Sequence, residues 1–381
     1  MITRTLFSHD HAIFREAVRK FAEQEIIPHL ENWDERGYVD RDLWRKAGDY
    51  GFLCSTLPEQ YGGSGAARSF SMILLEELSP LSYVGMSFAM HSDIVASYIN
   101  RYGIETTKQK YLPKMASGEM VGALAMSESG AGSDVKAIRT NAVRDGDHYI
   151  LNGSKTFISN GYESSLVVVV VKTDPAAGAK GISLLIVDDT MPGFEKGKKL
   201  KKIGLKSQDT AELFFNDVHV PVENLLGEEN QGFFYSMEEL SWERAQIAIT
   251  AVACAKDCIQ RTIEYVNDRT VFGEKVANYQ NTRFKLAEMQ TELQIAEVFV
   301  DRCMELELRG ELDNTTAAMM KYWTTDLQCK IADECVQLHG GYGYMQEYPI
   351  ARAWVDARAQ RIYGGTNEIM KELISRDILN K

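Results

Sequence analysis

A glutamate followed by an arginine, Glu243-Arg244, stands in a helical stretch whose later turns are strongly apolar. A carboxylate in apolar surroundings holds its proton more tightly than in water, so it can act as a proton acceptor near neutral pH. A glutamate opening a helix needs no such role, because the helix dipole favours it there. Four other stretches suit ligand contact. Ala123-Leu-Ala-Met-Ser-Glu-Ser-Gly-Ala-Gly-Ser-Asp134 reads as a strand opening into hydroxyls and free backbone N–H groups, which fit an anion or a heteroaromatic ring. An ordinary strand-to-loop transition has the same composition. It is no dinucleotide fingerprint, since Val135 stands where a third glycine belongs and no helix is expected after it. Arg269-Thr-Val-Phe-Gly273, with Gln280 behind it, lies between two long helical runs. An arginine there can meet a phosphate with two parallel hydrogen bonds, or Gly273 can simply cap a helix.

Gln337-Leu-His-Gly-Gly-Tyr-Gly-Tyr344 ends a helix in three glycines where termination needs one, which lets the backbone pack against something flat or charged. His339 reads as a packing residue. In Arg361-Ile-Tyr-Gly-Gly-Thr-Asn-Glu-Ile-Met370 the paired glycines precede Thr366, an N-cap, and Glu368 falls in the first turn of a last helix. That exposed backbone suits close approach of a ligand, or a bare helix–helix turn. Lys198, Lys199, Lys201, Lys202 and Lys206 form a basic run, read as a solvated loop face.

The elements that hold these residues follow from periodicity. Residues 1–120 read as a helical domain: Phe14, Ala17, Val18 and Phe21 fall at helical spacing, Pro28 helps end that element, and further helices follow Trp44, from Phe70 to Leu78 and from Ser87 to Arg101. Residues 121–232 read as a β-domain, a barrel or sandwich, with a hairpin turn at Asn152-Gly153 and β-branched runs at Val167–Lys172 and Ile182–Val187. A parallel α/β arrangement is disfavoured, because helical crossovers are missing. Residues 233–381 are helical again, with long runs at Phe233–Asp268, Thr282–Arg309 and Thr315–Leu338, a bundle of about four helices. The fold class is therefore α+β and multidomain.

The net charge of -12 argues against non-specific nucleic-acid binding. The six cysteines are scattered without a CxxC pair, as buried thiols in a reducing compartment are, and no metal set forms around them. The longest apolar run is strand-length, and the N-terminus has no leader-like stretch, so no membrane insertion is expected; bacterial cytoplasm or a processed mitochondrial matrix chain both fit.

In order and content these stretches resemble the acyl-CoA dehydrogenase family over essentially the whole chain. Ala125–Asp134, and Gln337–Pro349 through Arg361–Thr366, are the specific segments. Within the family, Ile362–Leu373, Lys206–Phe215 and His91–Tyr98 carry a closer likeness to the long-chain branch. The resemblance implies a helical–β–helical fold and FAD-dependent α,β-dehydrogenation of a medium- or long-chain acyl-CoA thioester, with electrons passed to electron-transferring flavoprotein. A base removes the α-proton while the β-hydrogen leaves as hydride to the flavin. Most of the family carries that base at the position of Gly364; the long-chain and isovaleryl branches supply it from the helix of Glu243. The resemblance thus implies Glu243 as base and the Gly364 N–H as an oxyanion donor.

It further implies flavin contacts at Leu124, Met126, Ser127, Ser133, Phe157 and Ser159, and Thr366 and Glu368 at the adenosine part of the same subunit's FAD. Arg269, Phe272, Gln280, Gln337 and Gly341 would reach the FAD of a neighbouring subunit, in a dimer or dimer of dimers. Ser133, Arg244, Tyr363 and Gly365 would meet the acyl-CoA. Ser241 stands where many relatives carry an aspartate near the CoA, a departure at that contact. A branched-chain or isoprenoid acyl-CoA dehydrogenase is the nearer alternative; an acyl-CoA oxidase and a non-enzymatic acyl-CoA-binding flavoprotein are the distant ones.

Overall fold

A computed structural model describes residues 2–380. The first helices are α1 (His9–Phe21), α2 (Leu30–Arg36), α3 (Arg41–Asp49), α4 (Arg68–Leu78), α5 (Val84–Ala89), α6 (Ala96–Tyr102) and α7 (Glu105–Ala116). The spacing of Phe14, Ala17, Val18 and Phe21 buries Val18 and Phe21, and α1 lies on α4 with Arg15 paired to Glu76 and Glu77. Pro28 does not end α1. The chain passes through one wide π turn, Ala22–Ile26, and a 3-10 turn holding Pro28 before it re-enters helix. Trp44 lies inside α3 instead of preceding it.

α5 and α6 are joined by a second π turn, Met90–Val95, whose extra residue turns His91 into the interior. Its Nε2–H donates to the Met115 carbonyl at 3.0 Å, and the Gly122 N–H donates to Nδ1 at 2.9 Å. The ring stands edge-on to Trp44. The bond accepted at Nδ1 requires the neutral ring, and the two together fasten the helical domain to the start of the sheet.

That sheet comprises β1 (Gly122–Ala125), β2 (Asn141–Asp145), β3 (His148–Ser159), β4 (Leu166–Lys172), β5 (Ile182–Asp188), β6 (Phe194–Lys199) and β7 (Thr210–Pro221). The order is β1-β4-β2-β3-β7-β6 with β5 along the other side of β4. It is one curled, mixed sheet instead of two stacked ones. β1 runs parallel to β4 although no helix links them; the β2–β3 hairpin makes the crossover. Asn152-Gly153 is not a hairpin turn. β3 runs straight through it with a register shift, Gly153 adopts φ 144°, and Asn152 exchanges side-chain and backbone bonds with Asp217. A Cβ at 153 would sit 2.5 Å from the Thr140 hydroxyl, so glycine serves close approach there and not reversal of the chain. The true turn is Gly146-centred, between β2 and β3.

The last third holds α8 (Gly232–Asp268), a short ribbon of β8 (Thr270–Val271) and β9 (Glu274–Lys275), then α9 (Gln280–Leu308), α10 (Asn314–His339), α11 (Pro349–Ala357) and α12 (Asn367–Ile378). α10 is the hub, packing on α8, α9, α11 and α12. Gly273 is not a helix cap. α8 stops at Asp268, and Phe272-Gly273, both at positive φ, form the two-residue turn of the ribbon. The basic run is only partly solvated: Lys199 and Lys202 reach back to the Arg36 and Gln208 carbonyls, while Lys198, Lys201 and Lys206 are exposed.

Burial pulls the His91 pKa down to about 4, below the free-imidazole value of about 6.5. The unfolded chain therefore takes up a proton that the fold refuses as pH falls. Stability from this group is whole above pH 6.5 and declines toward pH 4, by roughly 2 kcal/mol at pH 5. Thermal midpoints of the wild type and His91→Asn should lie far apart at pH 7 and converge by pH 5. A gap that stays constant would remove His91 as the acid-sensitive group.

Candidate active site

Glu243 sits in the fourth turn of α8, not at its start, so the helix dipole does not account for it. It is half-buried at the seam with the N-terminal helices. Tyr98 of α6, itself buried, donates its hydroxyl to Glu243 Oε1 at 3.2 Å. Burial pushes the Glu243 pKa up to about 7; the Tyr98 hydroxyl opposes that shift, the nearby Glu239 charge adds to it, and Arg244 opposes it. One turn earlier, Glu239 is gripped by Arg101 at 2.7 Å and by Arg68 at 3.4 Å, which fixes the facing helices α4 and α6 against α8.

The Gly364-Gly365 loop lies against the same helix one turn later. A Cβ on Gly364 would fall 2.3 Å from Ile247 Cδ1, four residues after Glu243. Gly364 and Gly365 adopt φ 62° and 84°, backbone that glycine takes without strain. Lys321 of α10, fully buried, pins the loop from beneath with bonds to the Gly365 carbonyl at 2.8 Å and Asn367 Oδ1 at 2.9 Å. Burial, with Arg244 close by, lowers the Lys321 pKa to about 8. Thr366 caps α12, its hydroxyl accepting from the Ile369 N–H at 3.3 Å. Glu368 is exposed in the first turn. Tyr363 turns its hydroxyl inward to Gln360 Oε1, and its ring packs against the core of the helical bundle. Arg244 is buried beside the site; it donates to the Asn314 carbonyl at 3.3 Å, and its Nε has no partner among the described residues.

A second set gathers where β1 ends. The Thr156 N–H donates to the Ser127 carbonyl, and the buried Lys155 amine donates to the Met126 carbonyl and pairs with Glu128. These bonds hold Met126 and Ser127, just past Leu124 at the end of β1, against β3, whose last residues include Phe157 and Ser159. A bulge between Lys155 and Ile158 puts Phe157 at φ 60° with 68% of its surface exposed, an aromatic face held out in strained backbone. Ser133 is exposed further along the loop.

The third set surrounds a cavity of about 550 Å³ beside the end of α10, lined among others by Tyr265, Arg269, Gln337, Gly340, Gly341 and Tyr342. A Cβ on Gly340 or Gly341 would meet nothing within 4 Å, so the backbone is open to a partner. Phe272 and Gln280 do not line it; Phe272, at the ribbon tip, is 99% exposed, and Gln280 is exposed at the start of α9.

Three family descriptions match in this order: the acyl-CoA dehydrogenase N-terminal domain over residues 8–119, the middle domain over 123–218 and the C-terminal domain over 230–379. The chain belongs to the acyl-CoA dehydrogenase family. It is 51% identical to the mitochondrial long-chain specific acyl-CoA dehydrogenase of Sus scrofa, over 99% of this chain and 88% of the relative. It superimposes on an acyl-CoA dehydrogenase from Geobacillus kaustophilus with a TM-score of 0.96 at 48% identity, covering 99% and 100% of the two chains. A glutaryl-CoA dehydrogenase from Mycobacterium smegmatis, solved in complex with FADH2, gives 0.91 at 28% identity, covering 99% and 96%. Flavoproteins and oxidoreductases are what acyl-CoA dehydrogenases are, so the chain is an oxidoreductase of this kind. No helix among the described residues is long and apolar enough to cross a membrane.

The residues present fit a flavin: an outward-held phenyl ring, open glycine backbone and an arginine with a glutamine at one cavity are what a planar ring and a charged tail need. Tyr98, Lys321 and Lys155 carry the site geometry without having stood out in the sequence. Tyr98 lies 145 residues from its partner, and each lysine reads alone as a surface charge. Lys321→Met leaves the Gly365 carbonyl and the Asn367 side chain without their donor. It is expected to lower kcat roughly 10-fold or more with a smaller change in KM and an unchanged flavin-to-protein absorbance ratio. Loss of bound flavin in step with activity would make Lys321 a general fold residue instead.

Proposed function

We propose that this acyl-CoA dehydrogenase oxidises medium- to long-chain fatty acyl-CoA to the trans-2-enoyl thioester, the first step of β-oxidation. The observation that carries the reading is the half-buried Glu243 with its pKa near 7, one helical turn from the Gly364 loop. The α-proton of a thioester is weakly acidic, so its removal needs a base of matched pKa and donors for the growing negative charge on the thioester oxygen. Glu243 is the base. Tyr98 holds Oε1, which leaves Oε2 to take the proton. The Gly364 N–H faces the thioester oxygen, on a loop that Lys321 keeps in place, and the Lys321 and Arg244 charges beneath it favour the anion.

FAD, the family's cofactor, accepts the β-hydrogen as hydride when bound. Leu124, Met126, Ser127, Ser133, Phe157 and Ser159 would hold its ring, and Thr366 and Glu368 its adenosine end. Arg269, Phe272, Gln280, Gln337 and Gly341 would reach the FAD of a second copy, which makes the working unit a dimer or a dimer of dimers. A phenyl ring 99% exposed on a hairpin tip supports that sharing, because water is a poor neighbour for it. Ser133, Arg244, Tyr363 and Gly365 would border the acyl-CoA. Electron-transferring flavoprotein is the acceptor this reading assigns. The 51% identity to a long-chain specific relative supports the straight-chain substrate over a branched one. The compartment it assigns is bacterial cytoplasm or mitochondrial matrix.

Glu243→Gln is expected to retain flavin and acyl-CoA binding and to lose about 10³-fold or more in turnover. In the wild type, kcat/KM should rise from acid pH with an apparent pKa of about 7, because only the ionised carboxylate accepts a proton. Near-normal turnover in the variant would sink the base assignment. Substrate class is read separately by anaerobic bleaching of the flavin band. Palmitoyl-CoA should bleach it quickly and isovaleryl-CoA slowly; the reverse order would return the branched reading.

A further inference from the structure

Lys155 is a charged residue in an apolar place. Only 1% of its surface is exposed, and Tyr149 and Leu151 earlier in β3 and Leu213 opposite it on β7 are buried too. Its amine donates to the Met126 carbonyl at 3.0 Å and to Glu128 Oε1 at 2.8 Å. Glu128 in turn accepts from the backbone N–H groups of Arg139 at 2.7 Å and Thr140 at 3.1 Å. Burial lowers the Lys155 pKa to about 8 while Glu128 opposes the fall, so the amine carries its charge at neutral pH. Desolvating two charges offsets most of their attraction, so such a pair is a weak device for stability alone. A neutral donor could make the same two bonds.

What the charge adds is a field at one peptide. The Met126 carbonyl points at the amine, and because the Met126–Ser127 peptide is trans, the Ser127 N–H points the opposite way. The next carbonyl, that of Ser127, is held by the Thr156 N–H at 2.9 Å. Between these two fixed carbonyls the Ser127 N–H has no partner among the described residues, and Ser127 is only half-buried. A cation on the carbonyl side polarises the peptide and strengthens its N–H as a donor, most where water is excluded. Resting on the dehydrogenase reading, we infer that Lys155 is a positioning residue that sets the reduction potential of the bound FAD: it orients and polarises the Met126–Ser127 peptide so that the Ser127 N–H donates to the flavin ring. A hydride brings two electrons and one proton, so the ring that receives it gains one negative charge. A strengthened donor therefore favours the reduced ring over the oxidised one. The Glu128 carboxylate, on the same amine, limits the effect.

The test is the midpoint potential of the bound FAD at pH 7, measured by anaerobic reductive titration of the holoenzyme against a reference dye, with no acyl-CoA present. Lys155→Met should lower the ratio of reduced to oxidised flavin affinity about 10-fold, which moves the two-electron potential down by about 30 mV. Glu128→Gln keeps an acceptor for the amine and removes the opposing charge, so its potential should move up. Both variants lose part of the same network, and both thermal midpoints should fall. Opposite shifts in potential alongside parallel losses of stability are what a merely structural pair would not give. Potentials that stay at the wild-type value, or that move in the same direction, overturn the inference and leave Lys155 as a loop anchor. If Lys155→Met does not hold FAD, Glu128→Gln decides alone: a raised potential supports the inference, and an unchanged or lowered one overturns it. If the wild type itself binds no FAD, the dehydrogenase reading falls, and this inference with it.

Discussion

The packing of an acidic helix face against two helices of another domain is the constraint on which the site depends. Glu239 and Glu243 lie one turn apart on α8, and burying two carboxylates so close is unfavourable unless one is neutralised. Arg68 and Arg101 neutralise Glu239 and at the same time dock α4 and α6 against α8. Docking brings Tyr98 to Glu243. The bonds that close the domain interface are thus the ones that set the environment of Glu243. The two cannot be varied independently.

The opposite wall depends on an absent side chain. Gly364 lets the loop approach α8 until Ile247 occupies the volume that a residue-364 side chain would need. Lys321 then fixes the loop through a backbone carbonyl, a contact indifferent to the side chains of the loop itself. Oxyanion donors act by being in place before charge develops, so a loop held by a buried amine and an N-capped helix suits the role proposed for Gly364. The adjoining network of Tyr83, Gln328, Gln360 and Tyr363 extends the support into the core with every hydroxyl engaged.

Much of this was legible from local pattern. The long helices of the last third appear within about two residues of their periodic runs, because burial of a helical stripe leaves a strong signal. The dipeptides misled. Asn152-Gly153 has hairpin composition, but the glycine there answers to Thr140, just ahead of β2, which a dipeptide does not contain. A preceding helix makes Gly273 look like a cap, whereas two positive φ values and a ribbon of two residues a side make Phe272-Gly273 a turn. Glu243 stands out through the resemblance and not through periodicity, which assigns a lone glutamate to a helix start. Tyr98 and Lys321 escaped because their meaning lies in partners 145 and 44 residues away.

The pKa of Glu243 is a balance that the rest of the seam can move. Burial and the Glu239 charge raise it; the Tyr98 hydroxyl and Arg244 lower it. A base with too low a pKa would be ionised but weak, and one with too high a pKa would be strong but protonated; a value near 7 avoids both at neutral pH. A second carboxylate at 364 would disturb that balance from the other side. Two acids facing one α-carbon would share a proton, as like charges at close range do, and Glu243 would spend more of its time neutral. It would also demand left-handed backbone of a residue with a Cβ and displacement of Ile247. Glycine at 364 and glutamate at 243 are therefore one physical solution, and on the proposed reading a single base works against an apolar wall.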